Sequence, residues 1–266
     1  MYLWWAVYLL GGAVAGVMAG LLGVGGGLIL VPVLLALLPF SGVRLELLMH
    51  TALGSSLAAI VLTSVASMRA HHARGAVQWP TVRILAPTLA LGAAGAGSIA
   101  AQFESAALTV LFAAFALLLA LRIWRTAQQV VAEKTPSKWT LPVAGGVIGV
   151  ISGLVGIGGG SLTVPLLLRY GTPMTQAVAT SAACGFPIAV FGTLGFIYAG
   201  WSSAMPPAAS GFVYWPAVLS LTAASWFTAP VGAKLAHRWP PARLKRIFAL
   251  FLIVVASKLI FELLNK

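Results

Sequence analysis

The sequence predicts an all-α polytopic membrane protein made of two inverted-topology repeats, and three observations predict it. Of the 266 residues, 60% are hydrophobic and 8% are charged, whereas a soluble domain carries about 25% charged residues. Apolar runs of about 20 residues, long enough to cross the hydrocarbon layer as helices, recur along the chain. A glycine-rich phrase also occurs twice, as GLLGVGGGLILVP from Gly20 to Pro32 and as GLVGIGGGSLTVP from Gly153 to Pro165.

Apolar runs bounded by turn and charge signals predict five segments in the first half. The first begins in the N-terminal MYLWW and reaches the glycine phrase. The second, from Leu28 to Pro39, would form about 18 Å of helix, which is too short to span the membrane. We therefore expect these two segments to form a helical hairpin bent at the glycines, followed by three transmembrane helices. The five segments are 3–22, 28–39, 47–67, 79–101 and 106–125.

The second half repeats this order after a polar stretch from Arg125 to Trp139. GAVQWP (75–80) recurs as GFVYWP (211–216) 136 positions later, and the glycine phrase recurs 133 positions later. A repeat of this length indicates a duplicated helical unit. The predicted segments are 140–156, 160–170, 174–200, 212–236 and 243–264. We divide the chain into a first transmembrane repeat at 1–126, a cytoplasmic linker at 127–138 and a second transmembrane repeat at 139–266.

Loop charges predict that the two halves enter the membrane from opposite sides. The loop from Arg69 to Arg74 (RAHHAR) is basic, while its counterpart from Trp201 to Ser210 has no charge. The next loop is acidic near Glu104, and its counterpart from His237 to Arg246 holds four Lys and Arg residues. Because Lys and Arg concentrate in cytoplasmic loops, equivalent loops lie on opposite sides, as in an inverted repeat. A parallel arrangement, the alternative, would leave one basic loop outside.

The two glycine phrases are the candidate substrate-binding site. Irregular backbone at membrane depth is tolerated only where protein buries it or where it lines a polar cavity. A new helix begins after each phrase, and its first N–H groups and its dipole favour an anion. Beside the second phrase, Ser161 and Thr163 could add hydroxyls. The alternative is that the glycines only allow helices to pack closely. The glycines assigned to the site are Gly23, Gly25, Gly26, Gly27, Gly156, Gly158, Gly159 and Gly160.

Hydroxyl residues occur at equivalent places in the third segment of each half. Ser55 and Ser56 align with Thr180 and Ser181, and we assign all four to the substrate site as hydrogen-bond donors. The alternative is that each bonds back to a carbonyl of its own helix one turn earlier. His50, about one turn into its segment, is a candidate for gating or proton coupling. An interfacial histidine without a transport role is the alternative.

Several classes of function are disfavoured by what the sequence lacks. No aspartate occurs, and the four glutamates fall in loops or near segment ends, so no buried carboxylate is expected to bind a cation or relay protons. A single cysteine, Cys184, allows no intrachain disulfide, and we expect no metal site, no cofactor and no catalytic residues. The net charge of +12 arises from clusters between apolar runs, which favours a lipid bilayer over nucleic acid as the partner. The glutamates are Glu46, Glu104, Glu133 and Glu262.

With these residues in view, the chain resembles the TauE/SafE membrane transporters, also described as YfcA-like, which are proposed exporters of sulfite and small organosulfonates. The resemblance covers essentially the full length. It is carried by the duplicated glycine phrase, by the LGSS and VATS stretches and by RGAVQW from Arg74 to Trp79. Where the family usually has Gly-Thr-Ser, this chain has Gly54-Ser55-Ser56, which keeps the hydroxyls and could alter the fit of the substrate.

The resemblance implies a multi-pass protein of the bacterial inner membrane that moves a small inorganic or organic sulfur anion, such as sulfite or sulfoacetate. A membrane potential negative inside drives anions outward by about 2.3 kcal/mol per charge per 100 mV, which favours export by alternating access without a coupling ion. An anion channel, an uptake permease for sulfonates and a non-transporting membrane scaffold are the alternatives. Metal-ion transport is disfavoured because no carboxylate is expected within the membrane. Homo-oligomerisation is left open.

Overall fold

The first half of the chain forms five helices. In this computed structural model, residues 2–22, 26–125, 139–236 and 241–265 are described. Short 3₁₀ turns at Leu38–Ser41 and Leu45–Leu47 connect the second helix to the third. The helices are α1 (Tyr2–Leu22), α2 (Gly27–Leu37), α3 (Leu48–Ala73), α4 (Trp79–Ala100) and α5 (Ser105–Arg125).

The second half contains the same order of helices. Before its fourth helix, two short strands, β1 (Ala209–Ser210) and β2 (Val213–Tyr214), pair antiparallel. The all-α prediction did not include this hairpin. The helices are α6 (Thr140–Val155), α7 (Gly160–Arg169), α8 (Met174–Ala199), α9 (Trp215–Ala236) and α10 (Pro241–Leu264).

Each predicted segment corresponds to one of these helices, with one clear difference at the end of α3. We expected that segment to stop at residue 67 and RAHHAR to form a loop, but α3 continues to Ala73, and His71 and His72 lie in its last turn. Alanine, arginine and histidine are all compatible with a helix, and the chain turns only at Gly75, whose φ is +66°. The predicted linker at 127–138 lies outside the described residues.

Several helices have the length and composition of membrane spans. Among the described residues, α3, α4, α5, α8 and α10 contain stretches long and apolar enough to cross a membrane. Large apolar side chains such as Leu91, Leu118 and Phe227 are exposed on the outside of the bundle, where hydrocarbon would solvate them. The described part of the chain is therefore a mostly helical bundle with an apolar exterior.

Small residues bring α1 against α9 and α6 against α4. A methyl group placed on Gly12 would lie 2.7 Å from Leu221 Cα, and one on Gly16 would lie 2.6 Å from Ser225 Cα. Along α6, Gly145 faces Leu85 and Gly149 faces Leu89 in the same way. Since the residue numbers rise together in each pair, α1 runs parallel to α9 and α6 runs parallel to α4.

The centre of the bundle is formed by α3 and α8, which pack against each other. Residues Met49 to Ile60 of α3 are all buried, and α8 buries Phe196 and Ile188 on the facing side. The glycine segments are defined as residues 23–27 and 156–160, and their described residues, 26–27 and 156–160, lie at this level. A methyl group on Gly158 would be 3.0 Å from Ile60, at the middle of α3.

Candidate functional site

The second glycine segment is a break between two helices. The α6 helix ends at Val155, and Gly156 follows in the left-handed conformation with φ 69°. The Ile157 N–H donates to the Ser152 carbonyl at 2.9 Å and the Gly156 N–H to the Gly153 carbonyl at 3.1 Å, which satisfies carbonyls at the end of α6. Gly159, with φ 73°, then precedes α7. Two positive φ values so close together favour glycine over any residue with a Cβ.

The start of α7 presents backbone donors. Gly159 is its N-cap and has no side chain to cap the helix, while its carbonyl accepts hydrogen bonds from Leu162 and Thr163. The first N–H groups of any α-helix have no partner within the helix. At α7 these groups belong to Gly160 and the half-buried Ser161, and the helix dipole adds positive potential at the same point.

Three buried hydroxyls converge on this helix start. Ser152 of α6, Thr163 of α7 and Ser181 of α8 are at most 2% exposed, and none has a hydrogen-bond partner among the described residues. A methyl group on Gly159 would lie 3.5 Å from Thr163 Oγ1 and 3.6 Å from Ser152 Oγ. One on Gly160 would lie 3.7 Å from Ser181 Oγ. We call Ser152, Thr163 and Ser181 the hydroxyl cluster.

The hydroxyl cluster is a candidate binding site. An unsatisfied buried polar group costs about 1–3 kcal/mol, so three hydroxyls without partners among the described residues favour the binding of a ligand or of water at this point. The nearest heavy atom to a methyl group on Gly160, outside its own helical surroundings, is the Ser181 hydroxyl at ordinary contact distance. Hydroxyl donors and backbone N–H groups therefore meet at one point, where a methyl group can be accommodated.

The first glycine segment contacts the second. Gly26 is left-handed, with φ 80°, and precedes α2 at Gly27; Gly23 and Gly25 lie outside the described residues. A methyl group on Gly27 would lie 2.6 Å from the Gly156 carbonyl oxygen and 2.9 Å from Ile157 Cα. The two glycine segments therefore meet, as expected if they form one site.

The hydroxyl donors accompany only the second segment. At the offset of 133 positions between the glycine phrases, the places of Ser152, Ser161 and Thr163 are taken in the first half by Ala19, Leu28 and Leu30. Ser161 and Thr163 were predicted from the sequence, whereas Ser152 was not. Extending the comparison of the two phrases by one residue towards the N-terminus would have revealed Ser152, since it stands in place of Ala19.

The paired Ser/Thr positions are mostly engaged with other parts of the protein. Ser56 Oγ donates to the Gly156 carbonyl at 2.9 Å. Ser55 Oγ accepts from the Tyr214 N–H at 3.0 Å, and Thr180 Oγ1 accepts from the Gln78 N–H at 3.0 Å. These bonds cross between the halves rather than returning to the carbonyl one turn earlier. Of the four predicted hydroxyls, Ser181 has no such partner.

His50, near the start of α3, hydrogen-bonds to backbone carbonyls at and just after the end of α4. Its Nε2 lies 3.0 Å from the Ala100 carbonyl oxygen and 3.1 Å from that of Phe103, so this nitrogen carries a hydrogen and donates to both. The ring also packs against Phe212 with centroids 5.0 Å apart. Along α3, His50 lies one turn before Leu53, which packs against Gly156, and ten residues, or about 15 Å of helix, before Ile60, which packs against Gly158. His50 therefore lies near one end of the second glycine segment, and its gating or coupling role stays a prediction.

The donors around the second glycine segment are electrically neutral. Every Lys and Arg whose side chain is described is exposed, so none of them is buried at the hydroxyl cluster. Within the described residues, no group of three or more His, Cys, Asp or Glu side chains could hold a metal ion. The site can offer an anion hydrogen bonds and a helix dipole, and these are the groups that bind oxyanions at helix N-termini.

Comparisons with known proteins agree with a membrane transporter. A family profile described as sulfite exporter TauE/SafE matches residues 8–259. A probable membrane transporter protein of Haemophilus influenzae is 40% identical over 96% of this chain and 97% of its own length. The probable membrane transporter protein YunE of Bacillus subtilis is 27% identical over 94% and 95%.

A further relative, a probable membrane transporter protein of Xylella fastidiosa, is 30% identical over 94% of this chain and 93% of its own length. No solved structure is significantly similar to this chain. Together with the apolar helices, the relatives indicate a multi-pass membrane protein. Because the profile covers nearly the whole sequence, the chain belongs to the TauE/SafE family of membrane transporters.

Proposed function

We propose that this protein exports a small sulfur-containing anion, either sulfite or a small organosulfonate such as sulfoacetate, across the bacterial inner membrane by alternating access. The observation that carries the proposal is the convergence of the hydroxyl cluster on the start of α7. A sulfite or sulfonate group has three oxygens that accept hydrogen bonds. The three hydroxyls and the first N–H groups of α7 supply the matching donors.

The remaining predicted residues would shape this site. Gly156 and Gly159, with positive φ, allow the backbone to break, and Gly158 lets it pack closely against Ile60. Gly27 of the first glycine segment would form the opposite wall through its contact with Gly156 and Ile157. Ser55, Ser56 and Thr180 would hold the two halves around the site through their hydrogen bonds to Tyr214, Gly156 and Gln78.

The direction of the helices supports inverted repeats at 1–126 and 139–266. Like α6, α8 runs parallel to α4, because a methyl group on Gly192 would face Ala93 and Gly195 contacts Gly97. If α9 returns across the membrane after α8, it runs antiparallel to α4, and so does α1, which is parallel to α9. The equivalent helices α1 and α6 would then cross in opposite directions.

The same arrangement gathers basic residues on one side. With α1 and α2 as one hairpin and α6 and α7 as another, most described Lys and Arg residues lie at helix ends on a single face, which the positive-inside rule makes cytoplasmic. Arg44 and Lys258 lie at the opposite face. The basic residues of the cytoplasmic face are Arg69, Arg74, Arg83, Arg122, Arg169, Arg243 and Arg246.

The proposal is tested by flux from proteoliposomes loaded in parallel with sulfite, sulfoacetate, taurine or sulfate. We expect saturable flux of sulfite or sulfoacetate, and a Thr163→Val variant should lower kcat/KM by about tenfold, the effect of losing one hydrogen bond to a charged group. Flux that does not saturate would indicate a channel. Absence of flux for all four anions in correctly inserted protein would contradict the proposal.

Thr222 provides a matched control for that variant. Its hydroxyl is also buried and without a partner among the described residues, but it lies in α9, beside the contact with α1. A Thr222→Val variant should therefore transport at nearly the wild-type rate. Equal losses in the Thr163 and Thr222 variants would show that the hydroxyls act on folding and not on the substrate.

A further inference from the structure

We propose that the site takes its substrate as a monoanion and rejects the dianion. The inference rests on the proposed function and narrows its substrate class to hydrogensulfite and organosulfonates that carry a single negative charge. It excludes doubly charged sulfite, sulfate and, at neutral pH where its carboxyl group is also ionised, sulfoacetate as transported species. The observations behind it are the neutrality of the donors, the apolar surroundings and the burial of the hydroxyl cluster.

The donors at the site carry no full positive charge. The hydroxyl cluster and the first N–H groups of α7 are neutral, and every Lys and Arg with a described side chain is exposed. The helix dipole contributes the equivalent of about half a positive charge at the start of α7. This partial charge offsets about half of one negative charge and leaves a second negative charge wholly uncompensated.

The side chains packed against the second glycine segment are apolar. A methyl group on Gly156 would lie 3.0 Å from Leu53, and one on Gly158 would lie 3.0 Å from Ile60. The side chain of Ile188 lies against Gly159. The side chains of Leu53, Ile60 and Ile188 are buried. An anion that enters this site therefore loses much of its hydration shell.

The charge of the ion decides the balance between desolvation and binding. The Born cost of moving an ion into a low-dielectric environment rises with the square of the charge, so a dianion costs about four times as much as a monoanion of equal size. The attraction to neutral donors and to a dipole rises only in proportion to the charge. A site without a buried cation therefore favours the singly charged ion.

Sulfite offers a direct test because its second ionisation lies near neutral pH. Hydrogensulfite and the dianion are then both present, and their ratio can be changed without changing the total concentration. Methanesulfonate remains a monoanion over the same range, while sulfate remains a dianion. The three anions share oxygen acceptors and differ in charge, so their fluxes separate charge from shape.

The experiment measures initial flux in proteoliposomes containing the full chain, at anion concentrations below saturation, with protein-free vesicles to correct for leak. As the pH rises above the second ionisation of sulfite, sulfite flux should fall by about tenfold per pH unit, in step with the hydrogensulfite fraction. Methanesulfonate flux should stay constant, and sulfate flux should stay at the level of the leak.

Two controls distinguish titration of the protein from titration of the substrate. Methanesulfonate flux reports any change in the protein. Cys184 is the titratable side chain nearest to Ser181 along α8, and His50 is the nearest in α3 to Ile60. A Cys184→Ala variant and a His50→Gln variant should keep the same ratio of sulfite to methanesulfonate flux at each pH.

A variant that adds a positive charge tests whether the lack of a cation at the site causes the rejection of dianions. Ser161→Lys places a cation in the first turn of α7, and it should raise the ratio of sulfate flux to methanesulfonate flux at least tenfold. Ser161→Met, of similar length and uncharged, should leave that ratio at the wild-type value. If the lysine variant does not fold, the comparison of the three anions on the wild-type protein still shows whether the protein transports dianions.

Three results would overturn the inference. Sulfite flux that stays constant or rises with pH, or sulfate flux equal to that of methanesulfonate, would show that the dianion is accepted while leaving the proposed export function intact. If none of sulfite, methanesulfonate and sulfoacetate moves at any pH in correctly inserted protein, the proposed function fails and the inference fails with it; flux of sulfoacetate alone would overturn the inference and leave the proposed function intact.

Discussion

At the scale of single residues, Gly160 is the glycine of the second glycine segment where an added methyl group would be least crowded. It begins α7 in a helical conformation, so a side chain there causes no backbone strain. The added side chain would approach the Ser181 hydroxyl at 3.7 Å, at the point where the anion is proposed to bind. A substitution at this position can therefore block a ligand without disturbing the packing of the protein.

We predict that Gly160→Val lowers kcat/KM for the transported anion by at least about tenfold while the melting temperature in detergent stays within a few degrees of wild type. Gly146→Val is the matched control, because a methyl group on this glycine of α6 meets nothing within 4 Å, and it should transport normally. Normal transport by Gly160→Val would place the ligand elsewhere.

At the scale of helices, the bundle is held by close contacts between glycines and neighbouring backbones. Such contacts stabilise membrane proteins through van der Waals packing, because lipid supplies no hydrophobic driving force between helices. Gly97 of α4 and Gly195 of α8 are in direct backbone contact. Each lies where even a methyl group would force the two helices apart, since the atoms it meets belong to the backbone and cannot rotate away.

We predict that Gly97→Ala destabilises the protein by about 1–3 kcal/mol, the usual cost of overpacking, seen as a lower melting temperature and less folded protein. Gly95→Ala in the same helix is the control, because a methyl group there meets nothing within 4 Å. It should be neutral or slightly stabilising, since alanine favours a helix over glycine by about 1 kcal/mol. Equal stability of the two variants would contradict the tight contact between α4 and α8.

At the scale of the whole molecule, the two halves are packed unequally. In the C-terminal half of α8, Gly192, Thr193 and Phe196 are buried against neighbouring helices. Ser67, the counterpart of Gly192 at the offset that aligns Ser55 with Thr180, is only partly buried, and its neighbour Ala70 is exposed. One face of the bundle is therefore closed by α4 and α8, while the equivalent packing at the opposite face is looser.

Alternating access would require α4 and α8 to separate. A methyl group on Gly192 would lie 3.7 Å from the Ala93 Cβ, a separation suited to a disulfide. In a Cys184→Ala background, we predict that the Ala93→Cys, Gly192→Cys pair abolishes transport when oxidised and regains it on reduction. Each single cysteine variant serves as a control. Full transport by the cross-linked protein would contradict a mechanism in which these helices move apart.

Much of the fold could be predicted because its signals are local. The ten segments follow from runs of apolar residues, and the helix breaks at Gly26 and Gly159 follow from glycines that adopt positive φ. The end of α3 was placed too early, because RAHHAR is compatible with both a loop and a helix. Among the candidate site residues, Ser181 was predicted from its place in the repeat, whereas Ser152 was missed because it lies one residue before the glycine phrase and its only signal is its difference from Ala19.

The sequence by itself determined the membrane class, the order of the helices, the duplication and the family, because hydrophobicity, helix breaks and motif spacing act over short stretches of chain. Only the tertiary structure decided which hydroxyls are available to a ligand. Ser56 bonds to Gly156, 100 positions away, and Ser55 to Tyr214, 159 positions away, whereas Ser152, Thr163 and Ser181 converge without partners among the described residues. Hydrogen-bond partners distant in sequence are chosen by helix packing, and packing depends on the whole chain.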